Sequence, residues 1–324
     1  MLKIENTPHY LGLKIKGDYY DLHTLYDAIS RYTDLFYTEA VNQVELQSKE
    51  ENWDDRERSY SIHYYSEMRD CILGLNYDIR HAWQGDRDFE YLDNNAEGIG
   101  QLAECIYEVD HELLDSARAD GKNGNLYFSV EILYPWALYY IQCFNVMTDS
   151  FFSEEARSHL DYPYKELDYR KDTSVIEYFC YSVWECLIEM LGSKAKNMMD
   201  LADFTVEQPL GISRYYEALC NYYCDKNKND PELRGAILQK IFYESLGEEW
   251  MEDDIIDEQL IRNCQSDIRE AEAVIQSKTG KGFLSFPDYI EEEMAYFQDR
   301  QYSYEKKEAF MDQFGDVDWE NIEW

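Results

Sequence analysis

The strongest hydrophobic pattern in the chain lies in the segment that precedes Gly85. From about residue 60 onward, apolar side chains recur at steps of three and four, which is the spacing of one buried helix face. These positions are Tyr65, Met68, Ile72, Leu75, Ile79 and Trp83. The pattern predicts a buried helix that ends at Gly85, because glycine commonly terminates helices.

A row of polar side chains follows the neighbouring face of this predicted helix. Its members recur at i, i+4 and i+8, so they lie along the edge of the core. They are Asn76, Tyr77, Arg80, His81 and Gln84. Asp86, Arg87 and Asp88 follow directly. Imidazole, carboxylate and guanidinium groups are therefore concentrated here beside apolar residues.

The start of the chain differs from the rest. Short apolar runs at 2–4 and 11–15 flank turn residues and predict two strands. Asp21 is the predicted N-cap of the helix that follows. The polar stretch at 43–58 is predicted to be either a mobile loop or a solvated helix extension.

Alternation of apolar and polar residues predicts a strand near Phe89 and another at 126–132, before a helix that begins at Tyr134. Ser174 followed by Glu177 has the form of a capping box and predicts a helix start. The later segments have helical periodicity, and Asp230 followed by Pro231 predicts the cap and the first position of one of these helices. We therefore predict a mainly α (α+β) protein, with a small N-terminal β element followed by a multi-helix array or bundle.

The domain division is predicted from breaks in these patterns. Residues 1–160 would form an N-terminal region with the β element, and residues 161–324 an acidic helical region. A single domain over the whole chain is the alternative.

The strong excess of acidic residues disfavours some classes of binding partner and favours others. The 324 residues include 67 acids against 30 lysines and arginines, a formal net charge of −37. Direct binding to nucleic acid or to an anionic membrane is disfavoured, because both are polyanions. A basic protein surface is the favoured partner. Eight cysteines without a close cluster, and an N-terminus without a signal-peptide pattern, predict a cytoplasmic location.

Three segments resemble a known family. They read IENTPHYLGLKIKGDYYDLHTLYDAI, GLNYDIRHAWQGDRDFEYLDN and NGNLYFSVEILYPWALYYI. Over about residues 2–150 the chain resembles an uncharacterised family of bacterial proteins, mostly from Gram-positive organisms and their mobile elements, known as a domain of unknown function. The resemblance implies an N-terminal β element followed by helices. It implies no activity, cofactor or catalytic residue.

Two spacings of metal-binding residues occur, each without the further ligands that a site needs. Cys220 and Cys224 share a helix face but lack two more ligands for zinc. Glu108 and His111 fit one Glu-x-x-His step of a two-metal bundle site, and the step occurs once. We therefore predict no metal and no other cofactor.

The polar row beside the central helix has two interpretations. As an active site, His81 would be the general base, Asp86 would orient it, and Arg80 and Arg87 would hold an anionic substrate. As a structural feature, the cationic side chains would stabilise the C-terminal end of the helix.

A dense run of acids lies near the start of the last quarter of the chain. It contains no base and consists of Glu248, Glu249, Glu252, Asp253, Asp254, Asp257 and Glu258. Duplex DNA carries one charge per about 1.7 Å, so 37 net charges match about 60 Å of duplex. These acids are the predicted interaction residues.

The leading hypothesis is a non-enzymatic acidic binding protein that occupies a basic protein surface. One form of it is a nucleic-acid mimic that inhibits a nuclease or a restriction or other defence enzyme. The alternative is an intracellular enzyme that uses Arg80, His81, Asp86 and Arg87 on a small anionic substrate. The third hypothesis is a structural subunit of a larger assembly.

Overall fold

The computed structural model describes residues 2–93, 124–152, 166–202, 213–246, 249–252, 255–283, 285–297, 304–315, 317–319, 322 and 324. Its helices are α1 (Tyr19–Glu50), α2 (Asp55–His81), α3 (Tyr134–Phe152), α4 (Glu166–Leu191), α5 (Ser193–Ala202), α6 (Ser213–Cys224), α7 (Pro231–Ser245), α8 (Glu258–Thr279), α9 (Phe286–Phe297) and α10 (Tyr304–Met311). The prediction of a mainly α protein with a small N-terminal β element is confirmed.

Four strands form one sheet. They are β1 (Lys3–Asn6), β2 (Gly12–Gly17), β3 (Phe89–Asp93) and β4 (Gly124–Leu133), in the order β1-β2-β4-β3. β3 and β4 are antiparallel, with Phe89 opposite Phe128. Gly12 has no room for a Cβ because the carbonyl oxygen of Ile132 lies against it. All four predicted strands are confirmed. The sheet joins β1 and β2 to β3 and β4, which lie much further along the chain.

The first helix begins differently from the prediction. Asp18, rather than Asp21, is the N-cap of α1, and its carboxylate accepts a hydrogen bond from the Asp21 amide at 3.0 Å. The Asp21 carboxylate accepts in return from the Asp18 amide at 3.2 Å. Asp21 is therefore the N3 acid of a capping box, one half of a reciprocal pair.

The polar stretch at 43–58 is mostly helical, because α1 continues to Glu50 and α2 begins at Asp55. Of the two predicted alternatives, the solvated helix extension is correct. The predicted helix start at Ser174 is wrong, since α4 already begins at Glu166. The Ser174 hydroxyl instead donates to the carbonyl of Arg170, four residues back, at 2.9 Å. A serine in a helix interior commonly makes this bond.

The chain forms two compact units. The first comprises residues 1–5, 14–131 and 147–182, and the second comprises residues 6–13, 132–146 and 183–324. The predicted boundary at residues 160 and 161 lies outside the described residues.

In the first unit, α1 and α2 form an antiparallel hairpin. The side-chain amide of Asn76 donates to the Tyr26 carbonyl at 3.2 Å, and the Arg69 guanidinium pairs with the Asp34 carboxylate at 2.9 Å. The contacting residues have rising numbers along α1 and falling numbers along α2, which shows that the two helices are antiparallel. Between them lies the apolar stripe predicted from periodicity, in which Met68, Ile72, Leu75 and Ile79 are buried.

An ion pair with a buried carboxylate fixes α4 to α1 in the same unit. Arg31 donates to both carboxylate oxygens of Asp172, each at 2.8 Å. Asp172 is buried, so this two-point contact satisfies a charge that would be costly alone. The Tyr32 hydroxyl donates to Thr148 at 2.8 Å and ties the end of α3 to the same helix.

In the second unit, α7 is the central helix, with nearly every described side chain buried. Its start follows the prediction, since Asp230 caps it by accepting from the Leu233 amide at 3.1 Å, with Pro231 in the first turn. Arg234 is 4% exposed and donates to the His9 carbonyl at 2.8 Å. The β1–β2 turn is thereby held against α7.

Candidate functional site

α2 is followed by one wide turn, the π-helical segment Ala82–Asp86. Gly85 in this turn has a φ of 95°, which glycine adopts without strain. Side chains five residues apart diverge on a regular α-helix, whereas i→i+5 bonding widens the turn. As a result, the Asp86 carboxylate contacts Nδ1 of His81. The α-helix therefore ends at His81, four residues before the predicted end.

The two arginines of the predicted site bind other groups. Arg87 donates from Nη2 to Oδ1 of Asp78 at 2.6 Å. The Arg80 guanidinium lies 5.3 Å from the centroid of the Tyr77 ring, which also contacts the His81 ring at 4.1 Å between centroids. His81 and Asp86 thus contact each other, Arg80 and His81 share the Tyr77 ring, and Arg87 binds Asp78 instead of joining them.

Two buried N–H groups in this segment lack a hydrogen-bond partner within the described part of the chain. They are Nε of Arg80 and Nε1 of Trp83. The Trp83 ring lies among aromatic rings of α1, with centroids 5.4 Å from Tyr19 and 5.7 Å from His23. An unsatisfied buried donor costs about 1–3 kcal/mol. An acceptor oxygen from a ligand or from water would therefore be stabilised here.

The contact between His81 and Asp86 has the geometry of an oriented general base. With Nδ1 bonded to the carboxylate, Nε2 is the nitrogen that remains to accept a proton. The His81 side chain is 23% exposed, so solvent reaches it. The same residues also serve structure, because a cation near a helix C-terminus is stabilising.

Two acids of the predicted acidic run, Asp257 and Glu258, make bonds within α8. Glu248, Asp253 and Asp254 lie outside the described residues, and Glu249 and Glu252 belong to a short 3-10 turn. The Asp257 carboxylate is the N-cap of α8 and accepts from the Gln259 amide at 2.8 Å. Glu258 pairs with Arg262 at 3.3 Å.

The remaining acids of α8 are also bonded. Glu270 pairs with Lys194 of α5 at 2.7 Å, and Asp267 accepts from Asn197 of α5 at 2.7 Å. Glu272 pairs with Lys240 of α7 at 2.9 Å. The carboxylates of α8 therefore help to attach this helix to its neighbours.

A cleft of 1190 Å³ in the second unit was not predicted from the sequence. Its lining comes from the end of α6 and the joint after it, Leu233 of α7, the end of α8 with the turn that follows, α9, and the turn after α10. The charged members are Asp225, Lys228, Lys278, Lys281, Asp288, Glu291, Glu292 and Asp312. The triplet Glu291-Glu292-Glu293, in a helix without lysine or arginine, was the available sequence signal.

Lys228 is the most enclosed cation of this cleft. Its Nζ donates to Asp225 at 3.0 Å and lies 3.6 Å from the centroid of the Tyr222 ring. Burial lowers the pKa of Lys228, the charge of Lys281 lowers it further, and the bond to Asp225 opposes both effects. Lys228 is therefore held by its own surroundings and is not directed outward as a free charge.

Cys220 and Cys224 are buried in α6, and burial raises the pKa of both thiols, that of Cys224 to about 12. Protonated thiols are poor metal ligands. Within the described residues, no group of three or more His, Cys, Asp or Glu side chains is arranged to hold a metal ion. Glu108 and His111 lie outside those residues.

None of the helices that the structure describes combines the length and the apolar character needed to cross a membrane.

The fold and these sites define a mainly helical, strongly acidic protein with one small sheet. The chain belongs to the family described as Domain of unknown function (DUF6904), which it matches over residues 2–269. The match includes the whole first unit and ends within α8, before the cleft residues of α9. No curated protein and no solved structure matches the chain.

Proposed function

We propose that this protein is a non-enzymatic acidic binding protein whose carboxylate surface occupies a basic surface of a partner protein. The observation that carries the proposal is the excess of acids. If each of the 30 lysines and arginines paired with one acid, 37 of the 67 acids would remain unpaired. Exposed carboxylates in this number give strong attraction to a basic partner and speed its association.

A nucleic-acid-processing enzyme is the partner class that best fits this charge. Such an enzyme carries a basic groove for a polyanion, and an acidic protein can occupy it as a nucleic-acid mimic. Inhibition of a nuclease or of a restriction or other defence enzyme would follow. We place the protein in the cytoplasm, in keeping with eight cysteines that lack the close clustering of a secreted disulfide scaffold.

The test is capture of partners from host lysate at about 0.1 M and 1 M salt, where the screening length falls from about 10 Å to about 3 Å. The parent is compared with a variant that carries Glu252→Gln, Asp253→Asn, Asp254→Asn and Asp257→Asn. Asparagine preserves the N-cap of α8, so the variant should melt like the parent.

We expect the parent to capture basic proteins at low salt, and we expect high salt or added duplex DNA to release them. The same proteins should bind the variant several-fold more weakly. Equal capture by parent and variant at low salt, or partners indifferent to salt, would contradict the proposal.

One observation favours a second candidate, an enzyme that acts on a small anionic substrate. The Asp86 carboxylate orients His81, and the buried donors of Arg80 and Trp83 lie in the same segment. His81→Ala separates this candidate from a structural role. A structural histidine predicts a stability loss of about 1 kcal/mol with partner binding intact. A catalytic histidine predicts that hydrolysis of para-nitrophenyl phosphate or acetate by the parent is lost without a change in melting.

A further inference from the structure

The charged side chains that line the cleft of the second unit differ in whether they are already bonded to other residues of the protein. Lys278 is bonded to Asp230 at 2.7 Å and to Glu232 at 2.6 Å, and Lys228 is bonded to Asp225. Lys281 has no acidic partner among the described residues. One of the three lysines is therefore free to bind a ligand.

The carboxylates of the cleft are less completely bonded. Asp288 accepts from the Ser285 hydroxyl at 2.6 Å at the start of α9. Glu291, Glu292 and Asp312 have no basic partner in the part of the chain that the structure describes. Three carboxylates thus face a ligand against one ammonium group, and the cleft favours a cation.

The cleft also offers apolar surface. Phe283 and Ala295 line the cleft and remain accessible, whereas the lining residues Leu233 and Phe314 are only 3% and 7% exposed. A ligand that brings apolar groups as well as positive charge would bury them here. Apolar contact provides affinity, and charged groups placed around it provide orientation.

The segment that carries Asp312 and Phe314 is firmly held. Asn221 of α6 donates to the Met311 carbonyl at 3.0 Å. Gly315 lies so close to the Asn221 carbonyl oxygen that a Cβ would collide with it. Lys307 of α10 pairs with Glu217 at 2.7 Å. This side of the cleft is therefore largely preformed, which lowers the entropic cost of binding.

We propose that the cleft binds a basic, amphipathic peptide segment of the partner protein. Its lysines or arginines would pair with Glu291, Glu292 and Asp312, and its apolar side chains would contact Phe283 and Ala295. The inference rests on the proposed acidic binding function and adds the cleft to the acidic surface that would carry it.

Three alternatives fit the cleft less well. Its volume exceeds the roughly 300–1,000 Å³ of small-molecule pockets, so an extended segment suits it better than a metabolite. The carboxylates do not converge as metal ligands within the described residues. A small anion would meet three carboxylates and one free lysine.

The experiment measures the affinity of a fluorescent amphipathic peptide of leucine and lysine by anisotropy, at about 0.05 M and 0.5 M salt. A peptide with glutamate in place of lysine is the ligand control. The cleft variant carries Glu291→Gln and Glu292→Gln. The matched control carries Glu305→Gln and Glu308→Gln, which removes the same charge from exposed positions of α10 outside the cleft lining.

We expect the lysine peptide to bind the parent, the cleft variant to bind about five-fold more weakly or worse, and the α10 variant to stay within about two-fold of the parent. Equal losses in both variants would overturn the cleft as the site but leave the acidic binding function intact. If the parent fails to bind the lysine peptide at low salt, or binds the glutamate peptide as well, the binding function is overturned with it.

Discussion

Helices α8 and α9 are both acidic, and they use their acids differently. In α8, Asp257 caps the helix and Glu272 pairs with a lysine of another helix. In α9, Glu291 and Glu292 are exposed and have no basic partner within the described residues. Acid density in the sequence is therefore a weak guide to a binding surface. What distinguishes a binding acid is that the fold gives it no partner.

The denser acidic run at 248–258 is the predicted interaction surface, and two of its acids are bonded at the start of α8. A stretch such as Asp257-Glu258 serves the start of a helix, where carboxylates are stabilised by free amides. Glu291 and Glu292 lie in the middle of α9, away from free backbone amides, and α9 supplies no lysine or arginine. Such acids remain available for a partner.

The largest expected effect concerns the core that carries both helices. Burial raises the pKa of Cys224 to about 12, and burial raises that of Cys264 in α8 to about 11. From about pH 9, where free thiols lose their protons, the unfolded chain binds fewer protons than the folded chain. The free energy of unfolding should therefore fall from about pH 9 to 11, by about 1.4 kcal/mol per pH unit for each such thiol.

Urea denaturation at several pH values measures this fall. Cys264→Ala removes one titrating thiol, so the slope should become shallower by about the amount of one group. A stability that stays flat up to pH 11 would contradict the burial of these thiols.

The second effect compares two pairs of glutamates directly. Lys240 has a side chain that is 10% exposed and pairs with Glu244 at 3.3 Å and Glu272 at 2.9 Å. Replacing both acids by glutamine leaves a nearly buried ammonium group without a counterion and should cost about 3 kcal/mol. Glu291→Gln with Glu292→Gln should change stability by less than about 0.5 kcal/mol. Equal unfolding free energies for the two double variants would break the comparison between α8 and α9.

A smaller effect is expected at the start of α8. Asp257→Ala removes the acceptor for two backbone amides and should lower the free energy of unfolding by about 1 kcal/mol. Asp257→Asn keeps an acceptor of the same shape and should be nearly neutral. Thermal melting of the two variants measures the difference, and identical melting would show that the charge of Asp257, rather than its cap, determines its role.

The sequence predicts the parts of this fold that depend on near neighbours. The apolar stripe around Ile72 and the cap at Asp230 follow from periodicity and from helix-end chemistry, and both are confirmed. Ser174 shows where local rules fail, because the same residue pattern occurs at a helix start and inside a longer helix.

The sites depend on contacts that local patterns do not encode. Arg31 pairs with Asp172 across 141 residues, and Glu272 pairs with Lys240 across 32. The contact between His81 and Asp86 needs a π-helical turn, which α-helical spacing does not anticipate. The cleft is built from five separate segments of the second unit, so its charges could not be recognised as one group.

The most direct test of the central claim, that unpaired acids of the cleft bind a basic segment, is the sign of the effect of Lys281→Glu. Lys281 lines the cleft and its charge should repel such a segment. The matched control is Lys196→Glu, the same charge change at an exposed position of α5 outside the cleft lining. Affinity for the lysine peptide at low salt should rise about three-fold or more in Lys281→Glu and change little in the control. A fall in affinity, or an equal rise in both variants, would contradict the account.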